Sequence, residues 1–281
     1  MVSFFEDIFK YEKFPTEYEC YKQLKDLNLD NYVAVPWTQI LNSHWLQFPG
    51  NKGREYFLKE LSKCKINTKN NFTVCQHDSF KQLKLYFKHL NITKVFCTLH
   101  SNDDVINDID LIPISFAFEK EFRNDLQKNI LVSFVGASTT HPVRNTMKQK
   151  LTGDQFIYRD EYHVSSLDQN KEAEEYEYKT MLERSHFTLC PRGSSPSSVR
   201  FWESLSAGTI PVLISDDWAL PEWDWDNTIV RISENEVENL NYSKLGSMLY
   251  NMDREKMKKN CLLAYEKFKK DNFKNYILEN I

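Results

Sequence analysis

The sequence lacks the segments that would place it in or across a membrane. No apolar run approaches the roughly 20 residues needed to span a bilayer. The first residues do not combine a basic stretch with a following apolar one. These absences predict a soluble chain without a membrane span, and we expect it in the cytoplasm.

Cysteine is scarce, and its spacing excludes two common roles. The six cysteines form no Cys-x-x-Cys pair, and none has a histidine at zinc-finger spacing. Cys75, Cys97 and Cys190 lie in apolar, strand-like runs. We therefore expect buried free thiols in a reducing compartment.

Neither sign of charge dominates. Lys and Arg total 36 and Asp and Glu total 40, which gives a formal net charge of −4. This balance gives no support to a nucleic-acid partner. An anionic ligand would have to be met by local positive groups.

Short apolar runs alternate with longer amphipathic ones along the chain. This alternation predicts an α/β fold in which parallel sheets are covered by helices. The 281 residues are enough for two doubly wound halves. Charge rises between Phe116 and Lys128, so we expect domains at residues 1–124 and 125–281. The last helix could return to the first half.

The most informative segment is the run from His186 to Trp218. It is predicted to form a strand, a loop rich in glycine and serine, a helix and a second strand. Pro191 ends the first strand, Gly193 permits an unusual φ and a close ligand approach, and Gly208 closes the helix. Such a loop leaves backbone N–H groups unpaired at a helix N-terminus, which suits the diphosphate of a sugar nucleotide.

Charged residues strengthen this interpretation. Arg192 lies in the loop, and Arg200 can pair with a diphosphate in bidentate fashion. Glu203 shares a helix face with Arg200, and its carboxylate can accept both hydroxyls of a ribose. The alternative is an ordinary strand-turn-helix with a capped start. Four hydroxyls can also donate to a phosphate: Ser194, Ser195, Ser197 and Ser198.

A second loop of small residues follows the strand that Gly136 closes. In a doubly wound half, such a loop normally faces the ligand. Arg144 lies in the first turn of the next helix and could reach a phosphate, or it could be a solvated helix charge. Ser138 and His141 are weaker candidates in the loop itself.

Several segments resemble the exostosin family of glycosyltransferases. The strongest are Cys190-Pro-Arg-Gly193, Pro196-Ser-Ser198-x-Arg200 with Glu203, Ala207-Gly208-x-Ile-Pro211-Val212, and Ser215-Asp-Asp-Trp218 with Leu220-Pro221. Weaker resemblances are residues 131–136 with Arg144, Cys75-Gln-His77-Asp78, and Asp110-Leu-Ile-Pro113.

The resemblance implies a GT-B architecture, in which two Rossmann-like domains face a cleft and the second domain holds most of the donor. Family members are inverting transferases that take a UDP-sugar donor and a glycan acceptor and need no essential metal, so no cofactor is expected. The chain is shorter than the membrane-anchored cellular members. It resembles the short forms of large algal viruses, which implies a host cytoplasm and favours xylose as the donor sugar.

Asp216 and Asp217 end the strand that follows the helix. Their position suits hydrogen bonds to hydroxyls of the donor sugar. Paired carboxylates can also bind Mg²⁺, but this pair is not the Asp-x-Asp arrangement of metal-dependent transferases, so we expect no metal. The neighbouring Trp218, Trp223 and Trp225 could pack on a sugar ring or in the core.

Inversion requires a base that deprotonates the acceptor hydroxyl, and we expect it in the first half. Asp78 is the first candidate, because it directly follows a strand at residues 72–75. His77 is the second candidate and His44 the third. Asp78 could instead cap a helix that begins near Ser79, and His77 could be structural.

Two sets of alternatives stay open. The same chemistry could use UDP-glucuronate, UDP-N-acetylglucosamine, UDP-galactose or a fucose donor. A protein of another class, a catalytically silent glycan-binding protein, could keep the same fold. The loops expected to bind the acceptor, such as residues 37–52, carry no recognisable code.

Overall fold

A computed structural model describes residues 1–6, 15–42, 53–118, 120–159 and 171–281. The third base candidate, His44, lies outside these residues. The chain divides into two compact units. Unit 1 contains Met1–Phe118, Ala219–Pro221 and Lys267–Ile281, and unit 2 contains Glu119–Trp218 and Glu222–Glu266. The division thus falls a few residues before the expected boundary, and the last helix is counted with unit 1.

The secondary structure alternates between strands and helices. The strands are β1 (Val2–Ser3), β2 (Val33–Ala34), β3 (Asn71–Cys75), β4 (Ile92–Cys97), β5 (Asp110–Pro113), β6 (Ile130–Ala137), β7 (Phe156–Arg159), β8 (Ser185–Pro191), β9 (Ile210–Ile214) and β10 (Val230–Arg231). The α-helices are α1 (Pro15–Leu24), α2 (Trp37–Leu41), α3 (Arg54–Lys63), α4 (Lys84–His89), α5 (Pro142–Lys150), α6 (Lys171–Arg184), α7 (Val199–Ser206), α8 (Tyr242–Tyr250), α9 (Arg254–Phe268) and α10 (Phe273–Asn280).

All strand pairs within unit 1 are parallel. β1 pairs with β2, and β3, β4 and β5 form a second ladder in that order. A bridge between Tyr32 and Phe72 connects β2 to β3. The core lies on the helix-covered face, where the rings of Trp37 and Phe87 meet edge to face at 5.3 Å. The Trp37 indole donates to Thr73 Oγ1, so its polar edge is satisfied inside the core.

The carboxyl-terminal segment is tied to the sheet of unit 1 by three hydrogen bonds. Tyr276 Oη donates to the Pro113 carbonyl and Lys94 Nζ to the Asn280 carbonyl, both at 2.7 Å. The Ser115 hydroxyl donates to the Phe268 carbonyl. These bonds, together with the packing of Tyr276 against the rings of nearby aromatic residues, fix α10 on unit 1.

Unit 2 has a five-stranded parallel sheet with the order β10-β9-β8-β6-β7. The chain therefore runs from β6 to β7 in one direction and then returns to add β8 on the other side of β6. In open α/β sheets of this type, ligands bind beyond the carboxyl ends of the strands at the point where the order reverses. Here that point lies between β6 and β8.

Helix α7 packs an aromatic face onto this sheet. Phe201 and Trp202 lie at most 2% exposed, and both contact Trp218 and Trp225 edge to face. Trp218 and Trp225 are therefore core residues. Trp223 is half-buried, and its indole donates to Thr228 Oγ1.

The α/β prediction with parallel sheets is confirmed, but local boundaries differ. The helix expected to begin near Ser79 starts as a 3₁₀ turn at Phe80–Leu83 and becomes α-helical at Lys84. The left-handed φ of +57° at Gly208 ends α7 as expected.

Candidate functional site

The carboxyl ends of β6 and β8 are adjacent in the unit 2 sheet, and two loops leave from them. β6 is followed by residues 138–141 and then α5, and β8 is followed by residues 192–198 and then α7. Most of the residues predicted from the sequence to bind the donor lie on these two loops or on the helices they introduce.

Arg144, on α5, is buried between the two strand ends. Its guanidinium donates to the carbonyls of Arg192 (2.7 Å), Ala137 (3.1 Å) and Pro191 (3.0 Å). These bonds connect the end of β6 to the end of β8. The geometry gives Arg144 a role in holding the two loops together, beneath the position where the sequence predicts a phosphate.

Arg200, on α7, lies under β6. Its Nη2 donates to the Val135 carbonyl at 2.5 Å, and its guanidinium carbon lies 4.6 Å from the centroid of the Phe134 ring. A Cβ atom on Gly136 would lie 2.6 Å from Arg200 Nη2. A side chain at position 136 would therefore force this guanidinium to shift.

Arg192 is the predicted phosphate ligand that faces other charges. Its Nη1 lies 3.3 Å from Asp217 Oδ2 and 3.4 Å from Glu234 Oε1. These separations are longer than well-formed charge-assisted hydrogen bonds. Because the two carboxylates neutralise Arg192 only loosely, an anionic ligand could compete with them for the guanidinium.

Glu234 is the centre of this charged group, and sequence reasoning missed it. The backbone N–H of Glu234 donates to the Asp216 carboxylate, while Glu234 Oε1 accepts from the Asp216 N–H at 3.2 Å. Glu234 Oε2 lies 4.0 Å from Nδ1 of His141. Burial, with the positive charge of Arg192, lowers the pKa of His141 below its usual value.

Asp216 and Asp217 thus point to different partners. Asp216 is tied to Glu234, and Asp217 is tied to Arg192. Within the described residues, no group of three or more His, Cys, Asp or Glu side chains is arranged to hold a metal ion. Both aspartates are accessible, since Asp216 is exposed and the Asp217 side chain is 49% exposed.

The loop from Gly193 to Ser198 enters α7 without a side-chain cap. Ser198, the residue before the helix, makes no capping hydrogen bond. Gly193 does not adopt a positive φ, and a Cβ there would make only ordinary contacts of 3.6 Å and 3.7 Å, so the expectation of an unusual φ is wrong. Ser197 is buried, whereas Ser194 is exposed and Ser195 and Ser198 are half-buried.

Four buried side-chain atoms at this edge have no hydrogen-bond partner within the part of the chain that the structure describes. They are Thr140 Oγ1, Arg192 Nε, Ser197 Oγ and Arg200 Nε. Two are guanidinium Nε–H groups and two are hydroxyls, and all four can donate a hydrogen bond to an oxygen-rich group. Buried polar atoms of this kind are normally paired, so their concentration at the switch point indicates a polar ligand.

Glu203, predicted to bind a ribose, is 6% exposed on α7. One of its oxygens, Oε2, accepts a hydrogen bond from the Tyr178 hydroxyl of α6. Sequence reasoning missed Tyr178, because it lies 25 positions away and no local pattern connects the two residues.

The carboxyl edge of the unit 1 sheet holds the base candidates. Asp78 is 47% exposed, and its Oδ1 lies 3.0 Å from His77 Nδ1 and accepts from Ser79 Oγ at 3.0 Å. The Ser79 N–H donates to His77 Nδ1, and His77 Nε2 lies 3.1 Å from Asn42 Oδ1. Both nitrogens of His77 are therefore engaged, while Asp78 is accessible.

The loop that carries these residues is anchored through Gln76. Its N–H donates to Glu17 Oε1 at 2.9 Å, its side-chain oxygen accepts from the Thr16 N–H, and its carbonyl accepts from Thr98 Oγ1. Glu17 also accepts from the backbone and hydroxyl of Thr38. Burial raises the pKa of Glu17 to about 7, although these hydrogen bonds oppose the shift.

A third polar residue at this edge, His100, follows β4. It is 5% exposed, and its Nδ1 has no hydrogen-bond partner among the described residues. Burial lowers its pKa, which favours the neutral ring. Neither Glu17 nor His100 was among the residues predicted from the sequence, although His100 could have been found as the first titratable residue after β4.

The fold is that of an α/β protein with parallel sheets, and arginine side chains are concentrated at the carboxyl edge of the unit 2 sheet. A family model, Exostosin GT47 domain, matches residues 66–248, more than half of the chain. The chain therefore belongs to the exostosin GT47 family of glycosyltransferases. Within the described residues, no helix is both long and apolar enough to cross a bilayer.

Individual relatives match shorter stretches. An Exostosin-1 homolog of Caenorhabditis elegans is 31% identical over 146 residues, which is 44% of this chain and 38% of that protein. Exostosin-1 of Drosophila melanogaster is 44% identical over 68 residues, which is 23% of this chain and 9% of that protein. The chain thus spans well under half the length of these relatives.

Two solved structures have weaker similarity. The pneumococcal O-GlcNAc transferase GtfA, in complex with UDP and GlcNAc, has a TM-score of 0.40 and 10% identity, covering 93% of this chain and 58% of that one. TarM has a TM-score of 0.45 and 15% identity, covering 92% and 57%.

Proposed function

We propose that this protein transfers a sugar from a UDP-sugar to a hydroxyl of a glycan, with inversion at the sugar carbon and without an essential metal. In this proposal the two α/β units are the Rossmann-like domains of a GT-B enzyme. Unit 2 binds the donor, and unit 1 contributes the base.

One observation carries the donor assignment: the group of buried, unpartnered polar atoms at the switch point of the unit 2 sheet. Arg192 Nε, Arg200 Nε and the hydroxyls of Thr140 and Ser197 surround the entry to α7. A diphosphate offers the oxygens that these donors require, and the uncapped start of α7 adds backbone N–H groups. Among the predicted phosphate ligands, Arg144 acts by holding the loops in place.

The base is proposed to be Asp78. Asp78 is an accessible carboxylate at the carboxyl edge of the unit 1 sheet, directly after β3, and His77 beside it uses both ring nitrogens in hydrogen bonds to other residues. His77 then orients the loop. The negative charge that develops on the leaving diphosphate is stabilised by Arg192 and by the α7 terminus.

Xylose is the proposed donor sugar, on the resemblance to short family members. Glucuronate, N-acetylglucosamine, galactose and fucose donors are the competing assignments. A silent glycan-binding protein is the competing class, and it is distinguished by the absence of turnover with any donor.

The test combines nucleotide binding with turnover. Thermal unfolding with UDP, GDP and a panel of UDP-sugars measures which ligands raise the apparent stability, and release of UDP measures turnover. We expect UDP and one UDP-sugar to stabilise the protein. Arg192→Gln should weaken UDP binding about tenfold, because it removes one charge-assisted contact.

Arg231→Gln is the matched control, since Arg231 is exposed on β10 of the same unit. Equal UDP affinity in Arg192→Gln and wild type would remove Arg192 from the phosphate site. Failure of every nucleoside diphosphate to bind would contradict the donor proposal as a whole.

A further inference from the structure

Tyr178 approaches Glu203 from a different helix than the one that carries the carboxylate. The Tyr178 hydroxyl, on α6, donates to Glu203 Oε2. The other oxygen, Oε1, has no hydrogen-bond partner within the residues that the structure describes. Among the described residues, the carboxylate is thus held at one oxygen and has no partner at the other.

The phenol is suited to remain a donor. Burial, together with the negative charge of Glu203, raises the pKa of Tyr178 well above its usual range. The hydroxyl therefore keeps its proton at neutral pH. A protonated phenol beside a buried carboxylate can only donate, so the direction of this hydrogen bond is fixed.

The aromatic ring is held by contacts that do not involve the hydroxyl. The guanidinium carbon of Arg200 lies 5.7 Å from the ring centroid, and Lys120 Nζ lies 5.2 Å from it. Phe122 meets the ring edge to face at 6.4 Å. Since these contacts need only the ring, phenylalanine at this position should keep the packing.

We propose that Tyr178 is a positioning residue that fixes the Glu203 carboxylate toward a ribose hydroxyl and so sets a preference for ribonucleotide over deoxyribonucleotide donors. This inference rests on the proposed donor site. Without the Tyr178 hydroxyl, the Glu203 carboxylate would lose the hydrogen bond that fixes its orientation. The two hydroxyls of a ribose would then face a carboxylate that can rotate.

The experiment compares ligands that differ in one hydroxyl. Affinities for UDP, 2′-deoxy-UDP and 3′-deoxy-UDP are measured by calorimetry on wild type, Tyr178→Phe and Tyr176→Phe. Tyr176 lies on the same helix and is 72% exposed, so it controls for the loss of a phenol. We expect Tyr178→Phe to weaken UDP binding about 10- to 150-fold, the range for one lost hydrogen bond to a charged group. Binding of at least one deoxy analogue should stay unchanged.

A double-mutant cycle adds a second readout. In a Glu203→Gln background, Tyr178→Phe should cause no further loss of UDP affinity, because both changes act on the same contact. Equal losses for UDP and both deoxy analogues would overturn the inference, since that pattern indicates general damage to the site. Additive losses in the cycle would also overturn it.

The result for wild type separates this inference from the donor proposal. Wild type that binds UDP and both deoxy analogues equally would overturn the role of Tyr178 and leave nucleotide binding intact. Wild type that binds no nucleoside diphosphate would overturn both.

Discussion

The carboxyl edges of the two parallel sheets have the same topological position and opposite chemistry. In unit 2, arginine side chains lie under the strand ends, and several buried donors lack partners within the described residues. In unit 1, the equivalent edge is anchored by Gln76, whose polar groups are paired with Glu17, Thr16 and Thr98. The unit 2 edge therefore suits the anion proposed above, and the unit 1 edge holds a loop that exposes the Asp78 carboxylate.

Removal of the exposed carboxylate of unit 1 tests the catalytic role assigned to that edge. Asp78→Asn should lower the turnover rate about 10²- to 10⁴-fold, the range for loss of a general base. UDP affinity should be unchanged, because the donor is assigned to unit 2. Steady-state rates and UDP calorimetry measure the two quantities.

Asp103→Asn is the matched control, since Asp103 is exposed in the loop after β4. Full activity in Asp78→Asn would show that the base is another group. A parallel loss of UDP affinity would show that the two edges are not separate in function.

Glu17, the buried residue that anchors the unit 1 edge, should make the stability of the protein depend on pH. Its pKa of about 7 exceeds the unfolded value of 4.5, so the folded state binds the proton more tightly. The stability associated with this proton is present at low pH and is lost as the pH rises through about 7. Between pH 4.5 and about 7, the free energy of unfolding should fall by up to about 1.4 kcal/mol per pH unit.

Urea unfolding from pH 5 to 8 measures this effect as the difference between wild type and Glu17→Gln. We expect the advantage of the glutamine variant to grow with pH and then level off above 7. Glu55→Gln, at an exposed position of α3, should run parallel to wild type. Parallel curves for Glu17→Gln as well would refute the raised pKa.

A substitution at Gly136 tests how closely Arg200 packs against the end of β6, and its effect should be smaller than those above. Gly136→Ala would place a Cβ atom 2.6 Å from Arg200 Nη2, so the guanidinium would have to shift and loosen its bond to Val135. We expect a loss of about 1–2 kcal/mol in the free energy of unfolding.

Gly246→Ala, on α8, is the matched control. A Cβ atom at this position would make an ordinary contact with a Leu131 methyl group, at 3.8 Å. This change should stabilise the protein by up to about 1 kcal/mol through helix propensity. Denaturant unfolding of both variants measures the pair. Similar effects of both changes would mean that Gly136 tolerates a side chain.

Sequence reasoning worked where the signal is local. The run from His186 to Trp218 predicts a strand, a loop, a helix and a second strand, because proline, glycine and the aromatic face of α7 act within a few residues of one another. The capping box of Ser233 and Glu236 was equally visible and would have drawn attention to Glu234.

The rest depends on contacts between distant positions. Glu17 meets Gln76 across 59 positions, and Arg144 meets Arg192 across 48. A guanidinium on a helix could have been exposed, bound to a ligand or turned to a carbonyl, and only the fold decides among these. Desolvation, which moves the pKa of Glu17, likewise cannot be read from its neighbours in the chain.

The inclusion of Lys267–Ile281 in unit 1 has a consequence for how the chain is made. The bonds that fix this segment span 163 and 186 positions. On the ribosome, all of unit 2 is synthesised before the last piece of unit 1, so unit 2 can finish folding first. Until this segment is made, the side of unit 1 that it contacts, at β4 and β5, stays uncovered. Unit 1 begins the sequence and is nevertheless the last unit to be completed.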